Sequence, residues 1–337
     1  MFSRKLLAAA IAGSLVAPTV VAADPIEFDF YGSLRLQYEA VDPNDVSSYT
    51  GFRDAYSRIG FNANAPLAEG VSAFAQLELP LDLANGAVQD TANYEQDIRL
   101  ARVGVNTDFG TLIYGQDWMP YYNAIAFPVD MFSSYYSGFG TYTSFRLGDS
   151  VIYYSPDFNG FSFAGAYSNN RGADKADDSP DDRWQLTASY SFGETTLSAG
   201  LDDLGGASDL RLYGLSLMHT IDNLYIGAKV EYADSDNGSD TAANLFLGYT
   251  MGQTTLKGMI ADVDGFGGTI WHLGVDYDYS NRLTLFAEYY DEEEAAAISL
   301  FKARDGSPVN TTRDDDGNIV ETTGGGSAFA IGARYSF

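Results

Sequence analysis

Alternation constrains this chain more than any other feature. Between Arg183 and Phe192, the residues Trp184, Leu186, Ala188, Tyr190 and Phe192 share one parity, and Arg183, Gln185, Thr187, Ser189 and Ser191 take the other. A period of two with one apolar and one polar face is a strand, because successive side chains point to opposite faces. The pattern recurs. Leu224, Ile226, Ala228, Val230 and Tyr232 oppose Tyr225, Gly227, Lys229 and Glu231. Trp271, Leu273, Val275, Tyr277 and Tyr279 oppose His272, Gly274, Asp276 and Asp278. Phe329, Ile331, Ala333, Tyr335 and Phe337 oppose Ala330, Gly332, Arg334 and Ser336.

Turn signals punctuate these runs. They fall at Pro66 to Gly70, Asp108-Phe109-Gly110, Phe158-Asn159-Gly160, Gly193-Glu194, Asp222-Asn223, Gly252-Gln253 and Ser280-Asn281, and Gly, Asn and Asp are the residues that tight turns demand. Longer polar segments lie between them. Short turns on one rim and longer loops on the other are the layout of a transmembrane barrel. Seven turns join fourteen strands. One strand near Ile26 to Ala40 and one near Ala328 to Phe337 bring the expectation to roughly sixteen, an even number as bacterial barrels require. The fold class expected is therefore all-β: a transmembrane antiparallel β-barrel wide enough for a water-filled lumen. Closure matters, since in lipid every backbone N–H and C=O needs a partner within the protein.

One segment breaks the rhythm. Residues 118 to 147 show little alternation and are rich in Tyr, Phe, Ser and Gly, as in Tyr121-Tyr122, Phe127-Pro128-Val129-Asp130 and Tyr135-Tyr136-Ser137-Gly138-Phe139-Gly140. A loop of that length is uncommon unless functional. Folding inward against the wall would bury its aromatics and narrow the pore.

The chain opens as a secretory precursor. Arg4 and Lys5 precede an apolar run from Leu6 to Val21, and Val21-Ala22-Ala23 is a small-residue cleavage site. Residues 1–23 are expected to be a signal peptide and residues 24–337 the mature barrel. No other stretch is apolar enough for a membrane helix, and a barrel escapes that test because each strand shows lipid every second residue. The chain has no cysteine, which excludes disulfides, thiolate zinc sites and thiol nucleophiles. The net charge of −27 argues against nucleic acid, whose phosphates need Lys and Arg. The acid gathers in runs such as Asp177 to Asp182, Asp234 to Asp240 and Asp314 to Asp316, read as solvated loop faces.

The whole mature chain resembles the trimeric general-diffusion porins of Gram-negative bacteria. The resemblance is carried by Phe28-Asp29-Phe30-Tyr31-Gly32-Ser33-Leu34-Arg35, Tyr56-Ser57-Arg58-Ile59-Gly60-Phe61, Ile98-Arg99-Leu100-Ala101-Arg102-Val103-Gly104, Phe109-Gly110-Thr111-Leu112-Ile113-Tyr114-Gly115 and the terminal aromatic Phe337, in that order and spacing. It implies an outer-membrane channel for passive diffusion of ions and small hydrophilic solutes. It further implies a homotrimer, contact with membrane lipid and lipopolysaccharide, no cofactor, no metal and no catalysis. It implies that the third loop folds into the lumen and that its carboxylates face wall arginines, so that a transverse field sets ion preference. By local context Arg58, Arg99 and Arg146 correspond to wall arginines and Asp130 to a loop carboxylate. Arg35 shares the polar parity of its strand. The parity of Arg58 is clean, because Ile59 and Phe61 take the lipid face. Arg99 is placed inward by the resemblance alone, which leaves Arg102 for the pore or a subunit contact.

The chain departs from the family near Asp130. The usual Pro-Glu-Phe-Gly stretch is absent, and Ser134 stands where a second carboxylate is common. Asp117 or Asp149 would have to compensate. With acid dominant overall and arginine in the eyelet, the expected channel is at most modestly cation-selective. A substrate-specific sugar channel is the alternative, its aromatic track drawn from the long loop. An outer-membrane enzyme, a soluble β-sandwich or an adhesin is a weaker one. His219 and His272 form no motif with a neighbour. The run Thr312 to Thr323 echoes an EF-hand loop but has Thr at its first and twelfth positions.

Overall fold

A computed structural model describes residues 25–44, 47–89, 98–169, 182–205, 209–298, 311–313, 319–322 and 324–337. The expected leader, most of the acidic run 177–182, the run 314–316 and the side chains of the EF-hand-like stretch lie outside the described residues. In chain order the strands are β1 (Glu27–Pro43), β2 (Tyr49–Asp54), β3 (Ser57–Ala68), β4 (Val71–Leu81), β5 (Leu100–Thr107), β6 (Gly110–Trp118), β7 (Arg146–Tyr154), β8 (Phe161–Ser168), β9 (Arg183–Phe192) and β10 (Thr195–Gly205). They continue with β11 (Leu210–Ile221), β12 (Leu224–Ser235), β13 (Gly238–Met251), β14 (Thr254–Val263), β15 (Gly268–Asp278), β16 (Leu283–Glu292), β17 (Thr311–Arg313), β18 (Ile319–Thr322) and β19 (Gly326–Ser336).

Seventeen strands form one antiparallel sheet, and the sheet closes where β1 pairs with β19. Both β2 and β3 pair with the same side of β1: Leu36 to Val41 with β2, Glu27 to Ser33 with β3. They are two halves of one barrel strand, so the barrel has sixteen. The break falls at Ala55-Tyr56, where Tyr56 takes a φ of 66°. The Asp54 carboxylate holds it, accepting hydrogen bonds from the backbone N–H groups of Ser57 (2.7 Å) and Leu83 (3.1 Å). The remaining pair, β17 and β18, is a small separate hairpin within the β16–β19 connection.

The expected parities hold. Trp184 and Leu186 are 41% and 52% exposed on the outside, while Gln185 and Thr187 between them are buried. The other strands read alike, with Tyr, Phe, Leu and Ile outward. Each such side chain in lipid is a burial worth about 1.5–3 kcal/mol, and each would lose it if the register slipped by one.

The seven turn signals all join neighbouring strands. Asp222 and Gly252 take φ of 50° and 61°, as two-residue hairpins require. The other rim is less uniform than the sequence suggests. Asp234 and Asp240, read as parts of a solvated loop, sit on β12 and β13, which meet in a tight turn at Asp236-Asn237. The run Ser235 to Gly238 has its own turn chemistry: Ser235 Oγ donates to the Gly238 carbonyl.

Candidate functional site

The site is made by the segment after β6 and the wall it faces. A short helical stretch, Tyr122–Ala126, runs into a tight turn, Phe127–Val129. The segment lies on the polar parity of the sheet, which is the inner face. Its backbone is received by inward side chains. Tyr121 N donates to Gln185 Oε1 at 2.9 Å, Ser133 N and Ser134 N to the Glu288 carboxylate at 2.8 and 3.0 Å, and Tyr135 N to Gln37 Oε1 at 2.8 Å. In return Ser216 Oγ and Tyr225 OH donate to the carbonyls of Ala124 and Pro128. Thus the N–H and C=O groups that a non-helical loop leaves open are satisfied from the wall.

The wall makes room for it. Gly200 and Gly214 are partners on β10 and β11. A Cβ on Gly214 would lie 2.5 Å from the Tyr121 hydroxyl, and one on Gly227 would strike the Pro128 carbonyl oxygen. Farther along, Val129, Phe132, Tyr135 and Tyr136 pack into a cluster with Phe246, Met259, Ile270 and Tyr290.

Charges beneath the segment are paired. Lys257 Nζ lies 2.9 Å from both Glu288 Oε1 and Asp276 Oδ1. The His272 Nε2 is 3.1 Å from Glu288, and the Phe132 ring stacks on its imidazole at 3.5 Å. Lys229 pairs with Glu231, Arg183 Nε with Asp202 at 2.8 Å, and Arg53 with Glu39 at 2.7 Å. Arg53 also lies over the Tyr135 ring. Paired charges of this kind are needed wherever water is excluded.

The uncovered part of the lumen differs. Arg35, Arg58, Arg99, Arg146 and Asp130 all border one cavity of about 590 Å³. A fifth arginine, Arg334, borders it too. Arg35 and Arg334 are direct partners on β1 and β19. Their polar contacts are hydroxyls: Arg35 Nε donates to Ser33 Oγ at 3.0 Å and Arg334 Nη1 to Ser133 Oγ at 3.4 Å. Among the described residues neither has a carboxylate within ion-pair distance. Arg99 Nε and Arg58 Nε share one carboxylate, Glu78, at 2.9 and 4.0 Å. The Arg146 guanidinium lies over Trp118, 4.7 Å from its ring centroid. Among the described residues Asp130 is the one carboxylate on the cavity lining. It accepts hydrogen bonds from Tyr122 OH at 2.6 Å and from Ser137 Oγ. Burial and the Asp130 charge hold the Tyr122 phenol well above its ordinary range, so it remains a donor.

A closed sixteen-stranded barrel with an apolar outside, a polar inside and an aromatic segment across its lumen narrows the choice of families. The model of the Gram-negative porin family matches residues 7–297. The chain belongs to this family. The porin is similar to the outer membrane porin protein OmpD of Salmonella typhimurium, at 23% identity over 99% of each chain. Among solved structures its barrel is similar to the anion-selective porin from Comamonas acidovorans, with a TM-score of 0.70 at 18% identity over 93% of this chain and 100% of that one. It is also similar to the trimer form of OmpT of Vibrio cholerae, with a TM-score of 0.62 at 19% identity over 93% and 100%. The porin resides in the outer membrane and is a passive diffusion channel.

Arg102 of the porin points into the lumen, where its Nη1 meets Asp117 at 2.6 Å and its Nε meets Gln76 at 2.7 Å. Asp117 is therefore buried in that pair and supplies no second eyelet carboxylate. Neither does Asp149, which accepts a hydrogen bond from the outward Tyr114. The sequence reading missed Arg334. Its polar parity was visible, yet its role depends on its pairing across the seam with Arg35. His272, read as lumen lining, lies beneath Phe132, and His219 bonds Thr195 on the outward parity of β11 and β10. Among the described residues no three His, Asp or Glu side chains are grouped to hold a metal ion.

Proposed function

We propose that the eyelet of this porin is the cavity between residues 118–147 and the arginine wall, and that it favours anions. One observation carries the reading: among the described residues five arginines and one carboxylate border the same cavity, and Glu78 beside it offsets only Arg58 and Arg99. Low-dielectric walls focus that field, so the charge in the eyelet outweighs acid dispersed on the outer loops. This departs from the modest cation preference expected from the sequence, which weighed acid over the whole chain. Arg35, Arg58, Arg99 and Arg146 act as wall cations, joined by Arg334. Asp130 is the facing carboxylate. Residues 1–23 serve as a cleaved signal peptide. The assembly is a homotrimer, a reading supported by the family and by the trimer form of the Vibrio cholerae protein. Lipopolysaccharide meets the outer loops, and the protein performs no catalysis.

The test is planar-bilayer conductance of refolded protein in a KCl gradient. Ohmic steps with a reversal potential on the chloride side are expected. A potential on the potassium side would refute the anion preference. Deleting Tyr135 to Gly140 should raise the single-channel conductance, and an unchanged value would remove the segment from the constriction.

A further inference from the structure

Resting on that reading and sharpening it, we propose that the eyelet is a subsite for small aromatic carboxylates. The cavity carries two kinds of group together. Trp118, Phe127, Phe139, Phe145 and Phe266 line it alongside the five arginines. Trp118, Tyr122 and Phe145 form a stack, with centroids 4.8 Å apart for the first pair and 4.5 Å for Tyr122 and Phe145. Arg146 and Arg99 lie 4.7 and 5.9 Å from the Trp118 ring centroid, so planar cations and planar rings alternate along this side.

Phe127 is the decisive residue. Its neighbours in the segment, Ile125, Ala126, Pro128 and Val129, are buried, whereas Phe127 is 45% exposed and borders the cavity. Among the described residues it is the one large apolar side chain of 119–145 left so exposed. A hydrated ion gains nothing from such a ring, but a flat apolar body stacks on it. In the same cavity, Arg35 and Arg334 face each other across the seam with no carboxylate partner among the described residues. Like charges directly opposite on neighbouring strands are destabilising, and an entering carboxylate relieves them through charge-assisted, two-pronged hydrogen bonds. The roughly 590 Å³ available is within the range of small-molecule sites.

The test is chloride current through the bilayer-inserted porin with benzoate, acetate or cyclohexanecarboxylate added. Benzoate should half-block at about one-tenth the concentration of either other acid, the size expected of a ring stack. Phe127→Ser should erase that gap, and Arg35→Ser should weaken block by all three acids. Equal half-blocking by benzoate and acetate in a conducting channel would overturn the proposal. So would equal block by cyclohexanecarboxylate, or a gap that survives Phe127→Ser. A protein that passes no chloride would sink the channel reading itself, and this inference with it.

Discussion

The two sides of the lumen solve opposite electrostatic problems. Beneath the inward segment, Lys257, His272 and Glu288 are buried together, and Lys229 has Glu231. Across the cavity, Arg35 and Arg334 line up side by side with hydroxyl contacts alone. The covered side has lost its water, so each charge there needs a protein counter-charge. The open side keeps its water, and mobile ions can serve as the counter-charge. Buried pairs therefore mark where the segment rests; on the open side Arg58 and Arg99 share Glu78, while Arg35 and Arg334 face the water through which solutes pass.

The largest expected effect comes from breaking the covered side. Glu288→Ala leaves Lys257 with Asp276 alone and frees the N–H groups of Ser133 and Ser134. Removing one partner of a buried pair costs about 3–5 kcal/mol, so the unfolding midpoint in detergent should fall and conductance should rise. If both stay at wild-type values, the segment does not depend on this anchor. On the open side, Arg35→Ser with Arg334→Ser should leave stability nearly unchanged and move the reversal potential toward potassium. Each charge at eyelet distances in water is worth about a three-fold change in ion preference. A large loss of stability with no change in reversal potential would invert the comparison.

Gly227→Ala probes the bed on which the segment lies. The new Cβ meets the Pro128 carbonyl oxygen, and such overpacking costs about 1–3 kcal/mol. The Phe127–Val129 turn should be pushed into the lumen and conductance should drop. A rise would mean that the turn had left the wall altogether. The smallest effect is expected away from both sides, at Asp264 between β14 and β15. Its carboxylate accepts hydrogen bonds from Thr241 N at 3.0 Å and Thr241 Oγ1 at 2.7 Å, which hold it below the ordinary carboxylate range. The contact is thus complete above the ordinary aspartate value of about 4 and lost only as pH falls through the lowered one. Hydrogen exchange at the Thr241 amide should stay slow until strong acid, and Asp264→Asn should speed it at neutral pH.

Much of this was legible because a barrel wall writes itself locally. The parity of Trp184 and Gln185, and turns such as Asp222-Asn223, depend on neighbours two residues away, and they gave the strand count. What was hidden depends on contacts across the chain. Nothing near Glu288 announces that it receives the backbone of Ser133, and nothing near Arg334 announces Arg35. Arg102 was ambiguous because Leu100, of the same parity, is also buried on the inner side. Asp117 looked available for the eyelet only while its partner Arg102 was unplaced.

The seam has a consequence for how the porin is made. Gly32 N donates to the Phe337 carbonyl at 2.9 Å and Phe337 N to that of Gly32 at 3.1 Å, while the Phe30 and Phe337 rings sit 5.6 Å apart. These bonds join the first and last strands of the sheet, so no chain lacking either can close the ring. Until β1 and β19 meet, each presents a bare edge ready to capture any strand it meets. Closing this seam therefore completes the barrel, and a damaged β19 should aggregate the whole molecule rather than leave a slightly smaller one.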